Sequence, residues 1–247
     1  MSARVYLLLK RSRFSNSNNW NIFFSIKKVV LIGPAEEYNT ELEEALKECD
    51  IIVLVNKGYR VPLFDKFNSF GKKMVLFHCL DENEIGGCGG LNKQELLAKG
   101  ITDIFYPLNE KKLAHNVLAF LKKHKTDFNL YWIGRTEYKI LKNGIFGFVP
   151  NTGFAALFGI HHNGCEWVYV HGLTFHRTAY LPEYGNDGED LKRNIEFIER
   201  ARNHNPDMDW KFFLKLHGKG RIRTSPLLTK VMALPYKQLF YTRKHSA

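Results

Sequence analysis

Short apolar runs recur along the chain at the length of buried strands, with helical spacing between them. Val29–Ile32 ends at Gly33-Pro34, Ile51–Val55 ends at Asn56-Lys57-Gly58, and Met74–Phe77 ends at His78. Each reads as a strand buried on both faces and closed by a turn. Between the first two, Leu42, Ala45, Leu46 and Cys49 recur every three or four residues behind a cap at Asn39 or Thr40, which predicts an amphipathic helix with acids in its first turn. Together they make a βαβ unit. The alternation continues with a helix over 92–99, a strand over 101–105, a basic amphipathic helix over 109–125, a strand over 129–133 and a helix over 135–142. Residues 188–202 predict another helix, Trp210–Leu216 a last strand, and Ser225-Pro226 the start of a final helix. This order predicts an α/β fold: a three-layer, Rossmann-like parallel sheet in one domain.

Residues 150–176 hold the densest chemistry. The turn Pro150-Asn151-Thr152-Gly153 leads into an apolar run of helical length, Phe154–Ile160; Asn163-Gly164 breaks it, and a strand, Val168–His171, follows. A helix amino end presents free N–H groups and a partial positive charge, so Asn151, Thr152 and Gly153 suit a phosphate or ribose, although Asx and Thr caps are also ordinary. The loop from Gly172 lies at the carboxyl end of a strand and carries His176, Arg177, Tyr180 and Tyr184. His176, Tyr180 and Tyr184 are the candidate catalytic groups, able to hold or protonate a leaving phosphate; alternatively the tyrosines only pack the loop. Asn56 follows five apolar residues at a strand end, where ligands of open parallel sheets sit, or caps a turn there.

Composition narrows the class. With 45% hydrophobic residues in 247, the chain has enough apolar surface for a sizeable core. No apolar run approaches the roughly 18 residues of a membrane span, and the apolar block at Tyr6–Leu9 is shorter than a signal-peptide core. A cytoplasmic chain follows as the expectation. Its net charge of +11 fits a solvated basic face, a peripheral contact with an anionic membrane surface or, as a weaker alternative, nucleic-acid binding. Cys49, Cys79, Cys88 and Cys165 form no CxxC pair, which predicts four reduced thiols and no metal centre. The Gly-rich stretch 86–90 lacks phosphate-loop spacing and reads as a flexible loop or lid. Residues 1–26 read as a leading segment and polar linker (RSRFSNSNNWN over 11–21), and 27–247 as the domain, with a basic tail.

The stretch PNTGFAALFGIHHNGCEWVYVHGL resembles the small sialylmotif of animal-type sialyltransferases, with Pro150, Thr152, Gly153, Cys165, Val168, Val170 and Gly172 in register. VVLIGPAEEYN…CDIIVLVNKG is similar to the large sialylmotif, with Asn56 and Lys57 matching its Asn-Lys pair. Gly172-Leu-Thr-Phe-His176 occupies the place of Gly-Ile-Asp-Phe-Tyr in small bacterial sialyltransferases. The resemblance implies a GT-A-like single-sheet fold. It also implies inverting, metal-independent transfer of sialic acid or a related sugar acid such as Kdo, from a CMP-sugar to a glycan or glycolipid hydroxyl, with no cofactor. Carried over, Asn56 binds the donor nucleotide, Thr152 and Gly153 its phosphate or cytidine, and Gly33 admits it to the first turn. Asn151 and Gly172 belong to the same donor set. Three departures stand out: Pro34 replaces an Asn, Cys165 has no partner cysteine near residues 27–28, and YLPEYGNDGED lacks the histidine base that precedes the family's last long helix. His176, Asp187 or Glu189 would then serve, or the chain is a catalytically lapsed binding module. His176 stands where bacterial relatives have a tyrosine that supports the leaving phosphate.

Overall fold

A computed structural model describes residues 14–15, 18–61, 64–82, 88–110, 114–124, 127–181, 184, 191–192, 195–196 and 204–235. The strands are β1 (Phe14–Ser15), β2 (Lys28–Ile32), β3 (Ile51–Val55), β4 (Lys73–Phe77), β5 (Asp103–Tyr106), β6 (Asn129–Trp132), β7 (Trp167–His171) and β8 (Ile222–Thr224). They form one sheet in the order β1-β6-β5-β4-β3-β2-β7-β8. Every pairing is parallel, with Lys28 opposite Trp167 and Ile32 opposite His171 across β2 and β7. β3 and β7 are buried along their whole length, which is why they read as unbroken apolar runs rather than alternating ones. The chain builds outward from β2 through β3 to β6, then returns to place β7 on the other side of β2. The topological switch point therefore lies between β2 and β7.

The helices are α1 (Asn18–Phe24), α2 (Thr40–Glu48), α3 (Phe64–Asn68), α4 (Lys93–Ala98), α5 (Ala114–His124), α6 (Arg135–Gly144), α7 (Thr152–His162), α8 (Pro206–His217) and α9 (Pro226–Ala233). α7 touches α1, α6 and α8 as well as β3, β4 and β7. Every residue from Thr152 to Ile160 is buried. A helix apolar on all sides has to be enclosed on all sides, and this one is the centre of its layer. α2 packs on β2 and α9 on β7, completing a three-layer, Rossmann-like α/β fold.

Three expectations change. The stretch 11–21 is not simply a linker, because α1 begins at Asn18 and sends Trp20 and Phe24 into the core. The Trp20 ring comes within 2.2 Å of where a Cβ on Gly159 would stand, so α7 accepts the indole only because it has glycine there. Trp210–Leu216 is helix, not strand: Asn205 caps it by accepting from the N–H groups of Asp207 (3.2 Å) and Met208 (3.3 Å), Pro206 follows, and Trp210, Phe213 and Leu216 are buried at helical spacing. The last strand is β8. Third, Cys79 and Cys88 are not reduced thiols but a disulfide with Cα atoms 6.4 Å apart, formed because the loop after β4 folds back; Cys49 and Cys165 are free and buried. The helix expected over 188–202 falls largely outside the described residues; Leu191–Lys192 and Ile195–Glu196 are helical. Asp187, Glu189 and the first half of the Gly-rich stretch also lie outside them.

Candidate functional site

At the switch point the protein meets itself. A Cβ on Gly33 would stand 2.6 Å from the Gly172 carbonyl oxygen, and one on Gly172 would stand 2.6 Å from that of Gly33. The two loops are bonded, Gly33 N–H to His171 O (2.7 Å) and Ala35 N–H to Gly172 O (3.0 Å). Below them the Glu36 carboxylate collects donors from Leu227 N–H (3.2 Å), Asn39 Nδ2 (3.1 Å), Gly172 N–H (3.4 Å) and the Ser225 hydroxyl. It thus occupies the amino end of α9, where the helix dipole favours an anion. His171, fully buried, lies with Nδ1 3.6 Å from Glu36 Oε2; burial lowers its proton affinity against the pull of that carboxylate. Gly33 and Gly172 therefore admit backbone to backbone.

Open polar groups lie beside this closed crevice. Asn56, after β3, adopts a left-handed backbone (φ +50°), a conformation Asn reaches more readily than most residues. Its buried Oδ1 has no hydrogen-bond partner among the described residues. The Tyr184 hydroxyl faces the Asn56 side chain and donates to Val55 O at 3.4 Å. Burial pushes that hydroxyl's pKa well up, with the Asn56 side chain and Lys57 backbone offsetting part of the shift. Tyr184 packs edge-on against Tyr180 (5.5 Å between ring centres), and the Tyr180 hydroxyl lies 2.7 Å from His176 Nδ1. The three candidate catalytic residues thus form one chain ending on Asn56. Phe175 (φ +54°) and His176 (φ +59°) hold successive left-handed conformations, strained for non-glycine residues and a means of aiming the imidazole at Tyr180.

The same loop packs on the start of α7. Leu173 Cδ1 is 2.6 Å from the Cβ position of Gly153, and the Phe154 and Phe175 rings meet edge-on at 5.8 Å. Asn151 caps α7, its Oδ1 accepting from Phe154 N–H at 2.8 Å. Thr152 and Gly153 N–H groups have no acceptor among the described residues, which leaves a donor pair at a helix amino end. Thr152 is 8% exposed, so access is narrow.

Two groups were missed at the sequence level. Asp209 of α8 is fully buried and accepts from Asn151 Nδ2 (2.6 Å) and Asn151 N–H (3.2 Å); burial raises its pKa to about 8. His204 lies two residues before α8, with Nδ1 2.8 Å from Val149 O. A carbonyl only accepts, so Nδ1 carries the hydrogen, and in the neutral ring Nε2 holds the lone pair. The resemblance placed a histidine before the last long helix. The stretch 180–190 has none, whereas His204 stands two residues before α8, which runs Pro206–His217. Asn205-Pro206-Asp207 was the available signal: a cap, a first-turn proline and an acid. Arg177 joins loop to helix, its guanidinium 3.2 Å from Asp207 Oδ1 and over the Trp210 ring at 4.7 Å.

Among the described residues no three His, Cys, Asp or Glu side chains are grouped to hold a metal, and no helix is long and apolar enough to cross a membrane. No protein-family model matches the sequence, and no curated protein matches it.

Proposed function

We propose that the chain is a sialyltransferase-like glycosyltransferase that takes a CMP-activated sugar acid, sialic acid or Kdo, and transfers the sugar to a glycan or glycolipid hydroxyl. One observation carries the reading: Asn56, the His176–Tyr180–Tyr184 chain and the donor pair of α7 are tied to one loop at the carboxyl edge of the sheet. Asn56 offers an amide oxygen, unpartnered among the described residues, for a nucleobase or ribose donor. Thr152 and Gly153 offer N–H groups to a phosphate, and their helix end favours its charge. His204 Nε2 removes the proton of the acceptor hydroxyl as the new C–O bond forms. The anomeric carbon–phosphate oxygen bond breaks, and CMP leaves with its charge met by α7 and the Tyr180–His176 pair. The alternative, a catalytically lapsed binding module, predicts CMP binding without release from either donor.

The test is incubation with CMP-sialic acid and with CMP-Kdo, following CMP release, alongside calorimetric titration of CMP. Binding of CMP and release from one donor are expected. Neither binding nor release with either donor overturns the reading. Thr152→Val is expected to weaken CMP binding in a protein that still folds.

A further inference from the structure

The Asp209 carboxylate is an ionisable group the proposed transfer does not use, and it lies directly behind the helix end that transfer needs. Its Oδ2 takes both donors of Asn151, the backbone N–H at 3.2 Å and Nδ2 at 2.6 Å, so it sets the rotamer of the residue that caps α7. Its Oδ1 is buried with no hydrogen-bond partner among the described residues. Nearby in sequence, Asp207 pairs with Arg177 and His204 bonds to Val149 O. Among the described residues no cation offsets an anion at Asp209, and the groups that favour its ionised form are the two donors of Asn151.

We infer that Asp209 is a positioning residue that holds the amino end of α7 as a neutral acid, and that its ionisation weakens binding of a phosphate-bearing ligand at Thr152 and Gly153. The reason is electrostatic. A buried carboxylate just behind Asn151 cancels the positive end of the α7 dipole and repels a phosphate in front of it, with little water between to screen the two. The neutral acid keeps the Asn151 contacts without that charge. Burial is the dominant influence on Asp209 and moves its titration to about 8, which puts the change within reach of ordinary buffers.

This inference rests on the proposed CMP site, and its experiment separates the two. CMP affinity of the full chain is measured from pH 6 to 9.5 for wild type and Asp209→Asn, with thermal unfolding over pH 4 to 9.5. Asn has the same shape and keeps an oxygen for Asn151 but carries no charge. Wild-type affinity is expected to fall about tenfold over the alkaline half of the range, and that of Asp209→Asn to stay level and match wild type near pH 6. A parallel fall in both proteins overturns the inference. Should neither protein bind CMP at any pH, the site reading fails and unfolding decides the inference alone. A midpoint of Asp209→Asn that rises relative to wild type between pH 4 and 8 upholds a neutral buried acid, whereas a constant difference overturns it.

Discussion

The carbonyl oxygen of Gly172 and the α-carbon of Gly33 approach so closely that a methyl group on Gly33 would lie 2.6 Å from that oxygen. The relation is mutual, and Gly172 also holds φ +66°. Both glycines were expected to make room for a donor. Their first task is to let the β2 and β7 loops pass. Gly33→Ala and Gly172→Ala are each expected to cost at least ~2 kcal/mol, because backbone rather than a side-chain end must move. Urea unfolding checks this: Thr152→Val should unfold close to wild type, while both alanine variants unfold at clearly lower urea.

Asn56 permits a cleaner probe of the site. Its φ of +50° means Gly can replace it without backbone strain, whereas Ala cannot. Asn56→Gly is therefore expected to fold like wild type and to lose CMP affinity by about tenfold, the worth of one well-placed hydrogen bond. Unchanged affinity in the folded variant would remove Asn56 from the site. Tyr184→Phe removes the hydroxyl that faces Asn56, and it should alter affinity by less than Asn56→Gly does.

His204→Gln separates binding from turnover. The expected result is a loss of transfer of roughly 100-fold or more, with CMP affinity within twofold of wild type, since a general base acts in the transition state and not on the bound nucleotide. Loss of CMP affinity in step with transfer would make His204 a structural tie to Val149 instead.

His78 predicts a pH dependence outside the site. It is fully buried, its Nδ1 accepts from Leu80 N–H at 3.0 Å, and its Nε2 lies 3.2 Å from Cys88 O and 3.1 Å from Gly89 O. Burial lowers its pKa from 6.5 to about 4. The unfolded chain therefore binds a proton that the folded one refuses, and stability falls as pH drops from about 6.5 toward 4, by up to roughly 3 kcal/mol from this group. Unfolding free energies across that range check the slope. The disulfide Cys79–Cys88 closes the same loop, so reduction that frees the loop should flatten this pH dependence, because the folded ring could then take up the proton.

What the sequence disclosed and what it hid follow one physical line. Val29–Ile32, Ile51–Val55 and Met74–Phe77 were legible because strands buried on both faces are apolar without interruption. The positions of Asn56 and Thr152, at a strand end and a helix start, were legible because each stands at the edge of an apolar run. Trp210–Leu216 misled for the same reason that helped elsewhere: five of its seven residues are apolar, interrupted only by Lys211 and Lys215, and run length outweighed the spacing of Trp210, Phe213 and Leu216. That error hid His204, whose place depends on where α8 begins. Asp209 was hidden because a lone acid reads as surface, and only the fold brings Asn151, 58 positions away, against it.

Trp20 is another long-range case, and it carries the last prediction. Nothing near it in sequence announces that Gly159, far along the chain, leaves a space of indole size; the ring also meets Phe77 and Phe105 edge-on at 5.3 Å each. Trp20→Ala would empty that space and leave Gly159 with no side chain to fill it. A cost of ~3–5 kcal/mol is expected, a large part of the stability of an ordinary domain. A chain beginning at residue 27 would lose Phe24 as well, also fully buried, and should fail to give a cooperative thermal transition. If it folds and binds CMP like the full chain, α1 is the detachable leader that its Ser/Asn-rich surroundings first described, and the core must close over β4 and β5 without it.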